Sequence, residues 1–190
     1  MILFAQQKNL IVHSHQCSCP MWHHTIMLEL VIFTGLQASG KSTYYRAFLA
    51  STHTLVSKDL MPNVRHRQLR QEELVTAALE AGQSVAVDNT NPTLEDRLPL
   101  IQIGRRFGAT ITNYWFPTTT AAALERNRRR EGKARVPDVA IYATVKKLAP
   151  PTFAEGFDRI FTVQIAENGG FAVHEMAKGI IPGNSEENRA

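Results

Sequence analysis

Gly35-Leu36-Gln37-Ala38-Ser39-Gly40-Lys41-Ser42 is a complete Gly-x4-Gly-Lys-Ser loop set between a strand-like run and a helix-like run. Leu28 to Thr34 is short, mostly apolar and rich in β-branched residues, the mark of a buried central strand. Ser42 to Ala50 runs without Gly or Pro, so the loop opens a helix. In that setting Gly35, Gln37, Ala38, Ser39, Gly40, Lys41 and Ser42 read as a cradle for nucleotide phosphates. Backbone N–H groups and the helix N-terminus face the anion, Lys41 reaches the β and γ oxygens, and the Ser42 hydroxyl ligates Mg²⁺.

Outward from the loop, the composition bounds what surrounds it. A chain of 190 residues with 44% hydrophobic and 20% charged side chains suits one soluble domain with a sizeable core. The longest apolar runs are strand length, well below the ~20 residues that cross a bilayer, so no membrane partner is expected. The first residues lack a basic stretch followed by an uninterrupted apolar one, so no secretory signal is expected. Cys17 and Cys19 are too few and too close for a disulfide framework, and the expected compartment is the cytoplasm. The net charge of +4 is modest, but Arg126, Arg128, Arg129, Arg130, Lys133 and Arg135 crowd into one short stretch that asks for an anion. A nucleotide phosphate satisfies that cluster without requiring nucleic acid.

Residues 1–26 are polar, His-rich and aperiodic, and read as a poorly ordered extension before a domain that begins at Met27. His13, His15, Cys17, Cys19, His23 and His24 are metal-ligating types, but their spacing is not that of structural zinc sites. From 27 to 166 strand and helix signals alternate, which predicts a parallel α/β sheet. Strands are expected at 53–57, 84–87, 111–116 and 158–165. Helices are expected at 64–81, ending at Gly82; from Thr93, with Leu94, Leu98 and Ile101 on one face and a kink or break at Pro99; at 121–131; and after Pro137. Asn168-Gly169-Gly170 reads as a hairpin-type turn to Phe171-Ala172-Val173, within a C-terminal turn and polar tail over 167–190.

Ligands of open α/β sheets sit beyond the carboxyl ends of strands, and two aspartates fall there, Asp59 after the second strand and Asp88 after the third. Phosphoryl transfer to a hydroxyl needs a phosphate cradle, Mg²⁺, a carboxylate that takes the hydroxyl's proton, and cations over the spreading charge. Asp59 is the candidate base, against a plain helix-cap role. Asp88 is a candidate for holding Mg²⁺ through water, against an Asx turn with Asn89 and Asn91. Arg126 and Arg130, four apart on one helical face, can clamp phosphates as a lid, with Glu131-Gly132-Lys133 as its flexible break.

These residues, in this order, resemble the polynucleotide 5′-hydroxyl kinases. The resemblance is carried by Gly35 to Thr43, by Val56-Ser57-Lys58-Asp59, by Val85-Ala86-Val87-Asp88-Asn89-Thr90-Asn91-Pro92, by Arg126-Asn127 with Arg130 and Lys133-Ala134-Arg135-Val136-Pro137, and by Ala149-Pro150-Pro151-Thr152-Phe153-Ala154-Glu155-Gly156-Phe157. It implies ATP as phosphate donor, Thr43 within the nucleotide site, Lys41 and Ser42 on phosphate and Mg²⁺, Asp59 as general base, and Arg126 and Arg130 on the donor. Some members carry an arginine three residues after the base for the acceptor's phosphate, whereas Pro62 stands here, with Arg65 and Arg67 beyond it. No Asp-x-Asp-Gly-Thr phosphatase motif occurs, so no 3′-phosphatase activity is expected.

The expectation is therefore an α/β P-loop NTPase domain. It has a parallel five-stranded sheet flanked by helices on both faces, a small Arg-rich helical lid, and ATP and Mg²⁺ as cofactors. The acceptor expected first is a nucleic-acid 5′-OH. A small-molecule or nucleotide hydroxyl stays open beside it, as does a nucleotide-dependent switch without an acceptor, which a base at Asp59 argues against. No protein partner is inferable.

Overall fold

The structure is a computed structural model and describes residues 27–61, 63–166 and 169–179, with only the backbone at 133. The readings placed on 1–26, on Pro62, on Asn168 and on the tail from 180 lie outside the described residues. The loop-flanking run folds as β1 (Glu29–Gly35), and the loop opens α1 (Lys41–Tyr44), which continues as a π-helical turn, Tyr45–Leu49. There follow β2 (Thr54–Val56), a 3₁₀ turn at Lys58–Leu60, α2 (Arg67–Glu80), β3 (Val85–Val87), α3 (Leu94–Arg106) and β4 (Thr110–Phe116). The chain then forms α4 (Thr120–Arg128), α5 (Asp138–Val145), a 3₁₀ turn at Phe153–Glu155, β5 (Arg159–Ile165) and β6 (Phe171–Glu175).

The strands lie in the order β2-β3-β1-β4-β5-β6. The first five are parallel, as expected, and β6 returns antiparallel on β5, so the sheet has six strands rather than five. From β1 the chain goes to one side for β2 and β3 and to the other for β4. The carboxyl end of β1 thus sits where the order reverses, the place where such sheets take ligands.

Alternation along β1 divides the core. Leu30 and Ile32 face α2 and α3 with Val85, Val87, Ile111, Val75, Leu79 and Leu100, while Val31 and Phe33 face Tyr44, Tyr45 and Leu49 with Phe116 and Val163. Each such aliphatic side chain taken wholly out of water stabilises the fold by roughly 1.5–3 kcal/mol. A third cluster is local to the site. Leu36 of the loop packs into Ala123, Leu124 and Ile141, so α4 and α5 are built directly onto the loop. Among the described residues no helix is long and apolar enough to cross a membrane.

Two helices depart from expectation. Pro99 sits inside α3 without dividing it. The bond it forgoes lies in the second turn, where a capping box between Thr93 and Asp96 already secures the helix start. The buried face of α3 is Arg97, Leu100, Ile101 and Ile103, while Leu94 and Leu98 are exposed. α4 stops at Arg128, short of Glu131, because the Asn127 side chain grips the backbone of Val136 in both directions, at 2.7 and 3.1 Å, and draws the chain back.

Candidate functional site

The site grows from the end of β1. Gly35 has φ +148, and a Cβ there would lie 2.8 Å from the Phe116 carbonyl oxygen, so only glycine lets the loop leave the sheet between β1 and β4. Ala38 adopts φ 58, left-handed backbone for a residue with a side chain, an arrangement that costs about 1–2 kcal/mol. Its carbonyl oxygen accepts a bond from Arg126 Nε at 2.8 Å.

Lys41 is buried, and its ammonium uses three donors inside the loop, to Leu36 O at 2.5 Å, Gly35 O at 3.1 Å and Ser39 Oγ at 3.2 Å. Burial brings its pKa down to about 8, with the charge of Arg130 adding to that fall while the carboxylates of Asp88 and Asp59 resist it. The lysine is thus a preformed cation with no carboxylate in hydrogen-bonding contact. Anionic phosphate oxygens are the partners that would draw it out of the loop.

Asp88 does not fold into an Asx turn. Its Oδ2 accepts from the Ser42 hydroxyl at 2.5 Å, joining the end of β3 to the start of α1. Burial raises the pKa of Asp88, against the Ser42 hydrogen bond and the Lys41 charge, and the nearby charge of Asp59 raises it further. A hydroxyl and a carboxylate oxygen, hard donors short of positive charge, fit Mg²⁺, which binds through one or two protein oxygens and takes the rest from water and phosphate. Among the described residues there is no group of three or more His, Cys, Asp or Glu that would make a fuller cage.

Asp59 lies in the turn after β2 and is exposed. It is not the cap of that turn. Ser57 is, its Oγ accepting from Asp59 N at 3.3 Å and donating to Asp88 O at 2.8 Å. The charge of Asp59 is felt by both Lys41 and Asp88, which brings base candidate, loop lysine and metal candidate into one electrostatic neighbourhood.

Arg126 and Arg130 meet there as well, though not as one helical face. Arg130 lies two residues past the end of α4, in a turn closed by Arg130 N to Asn127 O at 3.1 Å. Desolvation lowers the pKa of Arg126, and the Arg130 charge lowers it further, so two guanidiniums sit close enough to repel each other in the absence of an anion. Beside them a groove of about 230 Å³ is lined by Pro117, Thr119, Ala122, Arg126, Gln164 and Ile165. A Cβ on Gly40 would stand 3.2 Å from Ile165, so the groove abuts the loop. A larger hollow of about 650 Å³, lined by Leu98, Gln102, Arg106 and Gly156 among others, contains none of these residues.

Several supports were not foreseen from sequence. Gln37 Nε2 donates to Thr144 Oγ1 at 2.9 Å, tying the loop to α5. Asn91, at φ 39, donates to Phe33 O at 2.8 Å, and Gly35 N to Thr90 O at 3.1 Å, so the loop after β3 is stitched to β1. Beneath it Arg97, 1% exposed, makes a two-pronged ion pair with Glu155 at 2.7 and 2.8 Å and bonds the carbonyls of Asn91 and Ala149. The Thr-x-x-Glu spacing at Thr152 and Glu155 signals a turn cap, but nothing local signals Arg97 as its partner.

A phosphate-binding loop at the reversal point of a mostly parallel sheet, with an arginine-bearing lid folded onto it, defines the P-loop kinase fold. The chain belongs to the AAA-domain family, whose model matches residues 30–151. It is similar to the bifunctional polynucleotide phosphatase/kinase of Schizosaccharomyces pombe, 27% identical over 139 residues that cover 70% of this chain and 32% of that protein. The chain thus spans about a third of that relative's length. Among solved structures it is similar to a fungal RNA kinase (TM-score 0.57, 15% identity, covering 75% of this chain and 40% of that one). A gluconokinase from Sinorhizobium meliloti is a comparable match (TM-score 0.54, 17% identity, 74% and 85%).

Proposed function

We propose that the chain transfers the γ-phosphate of ATP to a hydroxyl, and that the acceptor is the 5′-OH of a polynucleotide. The observation that carries the transfer is the convergence of Lys41, the Ser42–Asp88 pair and Asp59 at the ends of three adjacent parallel strands, under the Arg126 lid. In this reading the triphosphate lies along the loop and its nucleoside in the groove at Ala122 and Gln164. Lys41 turns from the loop carbonyls to the β and γ oxygens. Arg126 and Arg130, whose mutual repulsion an anion relieves, hold the donor and spread the charge that develops as the bridging oxygen leaves. The acceptor oxygen forms the new bond to the γ-phosphorus, the β–γ bridging bond breaks, and Asp59 takes the hydroxyl proton. Mg²⁺, held by Ser42 and Asp88, would neutralise the phosphate oxygens.

Two findings support a polynucleotide acceptor. One is the ordered motif set from Gly35 to Phe157, and the other is the similarity to a protein named for polynucleotide phosphorylation. One feature favours a small hydroxyl acceptor instead, Pro62 in place of an acceptor-phosphate arginine. The test is label transfer from γ-labelled ATP to 5′-OH DNA, 5′-OH RNA and a pool of small hydroxyl compounds, with Lys41→Ala as control. Labelled oligonucleotides are expected. Label confined to the small compounds would move the acceptor, and no label in any arm would remove the kinase reading.

A further inference from the structure

One buried hydrogen-bonded chain has no part in the steps above. Gln71 of α2 has no exposed surface, an uncommon setting for its type. Its Oε1 accepts from Asn89 Nδ2 at 2.5 Å, and its Nε2 has no partner among the described residues. Asn89 accepts in turn, at Oδ1, from the backbone N–H of Lys58 at 2.9 Å.

The polarity of the chain follows from its last link. Only the oxygen of Asn89 can accept a backbone N–H, so its nitrogen faces Gln71, and the oxygen of Gln71 faces back. Lys58 opens the 3₁₀ turn that carries Asp59, and its N–H is a donor that the turn itself cannot satisfy. Ser57 fixes the next donor, Asp59 N. The backbone on either side of the candidate base is thus held by side chains.

Stability alone does not ask for a glutamine here. An apolar side chain of similar volume would fill the space and remove the unpaired donor of Gln71, at the loss of one acceptor for the half-buried Asn89. The amide does one thing that leucine cannot, which is to hold Asn89 in the rotamer that caps Lys58.

We propose that Gln71 is a positioning residue for phosphoryl transfer: through Asn89 it holds the Lys58–Leu60 turn so that Asp59 meets the acceptor hydroxyl. The inference rests on the reading of Asp59 as the base. Its test uses the full chain with Gln71→Leu, Asn89→Ala, which removes both the acceptor for Lys58 and the link to Gln71, and Asp59→Asn. Each is measured for thermal unfolding, ATP affinity, kcat and KM of transfer to a 5′-OH oligonucleotide, and hydrogen exchange of the 57–61 segment.

Gln71→Leu is expected to unfold no earlier than wild type and to bind ATP within about twofold. Its kcat should fall roughly 10- to 100-fold, the scale set by displacing a reacting group by about 1 Å, and exchange at 57–61 should be faster. Asn89→Ala should share the kcat loss. Wild-type kcat and exchange in Gln71→Leu would overturn the inference, as would losses of ATP affinity and thermal stability in step with kcat. Should Gln71→Leu fail to fold, wild-type kcat and exchange in Asn89→Ala overturn it equally. If transfer runs at full rate in Asp59→Asn, the base assignment falls. If that variant is inactive while Gln71→Leu is wild type, only the positioning role falls.

Discussion

The proposed donor half and the proposed acceptor half of the site are built differently. On the donor side the loop, α4 and α5 are interlocked before any ligand arrives. Leu36 is in the lid's own core, Arg126 is bonded to Ala38 O, Gln37 to Thr144, and Lys41 is buried among loop acceptors. On the acceptor side the candidate base is exposed on a short turn, and what is rigid lies beneath it, in Asn89, Gln71, Asn91 and the Arg97–Glu155 pair. The donor half is complementary to one kind of ligand, a polyphosphate. The proposed acceptor half holds its candidate base from beneath and leaves that side chain exposed.

The largest effect expected from breaking this contrast is on stability, under the acceptor half. Arg97→Ala leaves Glu155 without its partner in a site where that carboxylate is 8% exposed. Removing one member of a buried pair costs about 3–5 kcal/mol, read as a lowered urea midpoint with unchanged slope. A loss below about 1 kcal/mol, the size of a surface pair, would show that the brace is not needed.

On the donor side, Arg126→Ala is expected to lower kcat by about 10²- to 10³-fold, as for other preorganised groups facing transition-state charge, with little change in unfolding temperature. Comparable losses in folding and in kcat would make Arg126 a structural strut.

The Lys41 pKa gives a smaller, pH-dependent effect. With the folded value at about 8 and the ordinary value at 10.5, free protein sheds this proton as the pH rises through about 8. The unfolded chain keeps it until higher pH, so this group makes stability rise between about pH 8 and 10.5. Phosphate should restore the charge, so ATP binding near about pH 8.5 takes up a proton. Calorimetry in buffers of different ionisation heat should detect that uptake in wild type and not in Lys41→Met, and equal heats would contradict it.

The smallest effect concerns the tether. Gln37→Leu should weaken ATP binding by roughly the worth of one hydrogen bond, about 0.5–1.5 kcal/mol, leaving acceptor KM unchanged. A change in acceptor KM alone would place Gln37 with the other half.

The loop and the places of the candidate aspartates were legible in sequence because their signals are local. Gly35 to Thr43 is contiguous, and Asp59 and Asp88 each follow a strand by position alone. The supports were not legible, since their partners are distant in the chain. Arg97 meets Glu155 58 residues on, and Gln37 meets Thr144 107 residues on. No periodicity records such pairs. The length of α4 was misjudged for a related reason: its arginines are good helix formers, and what ends the helix is Asn127 reaching to Val136. Phe171-Ala172-Val173 was read as the run that a hairpin-type turn leads to but was not counted as a sheet strand, because it is too short to announce itself without β5 beside it.

The central claim is that Asp59 serves the acceptor and nothing on the donor side. Single-turnover transfer of the γ-phosphate to a 5′-OH oligonucleotide, with ATP affinity measured in parallel, tests it in Asp59→Asn. A rate lowered by about 10²- to 10⁴-fold, the usual contribution of a general base, is expected at unchanged ATP affinity. Transfer at the wild-type rate would contradict it.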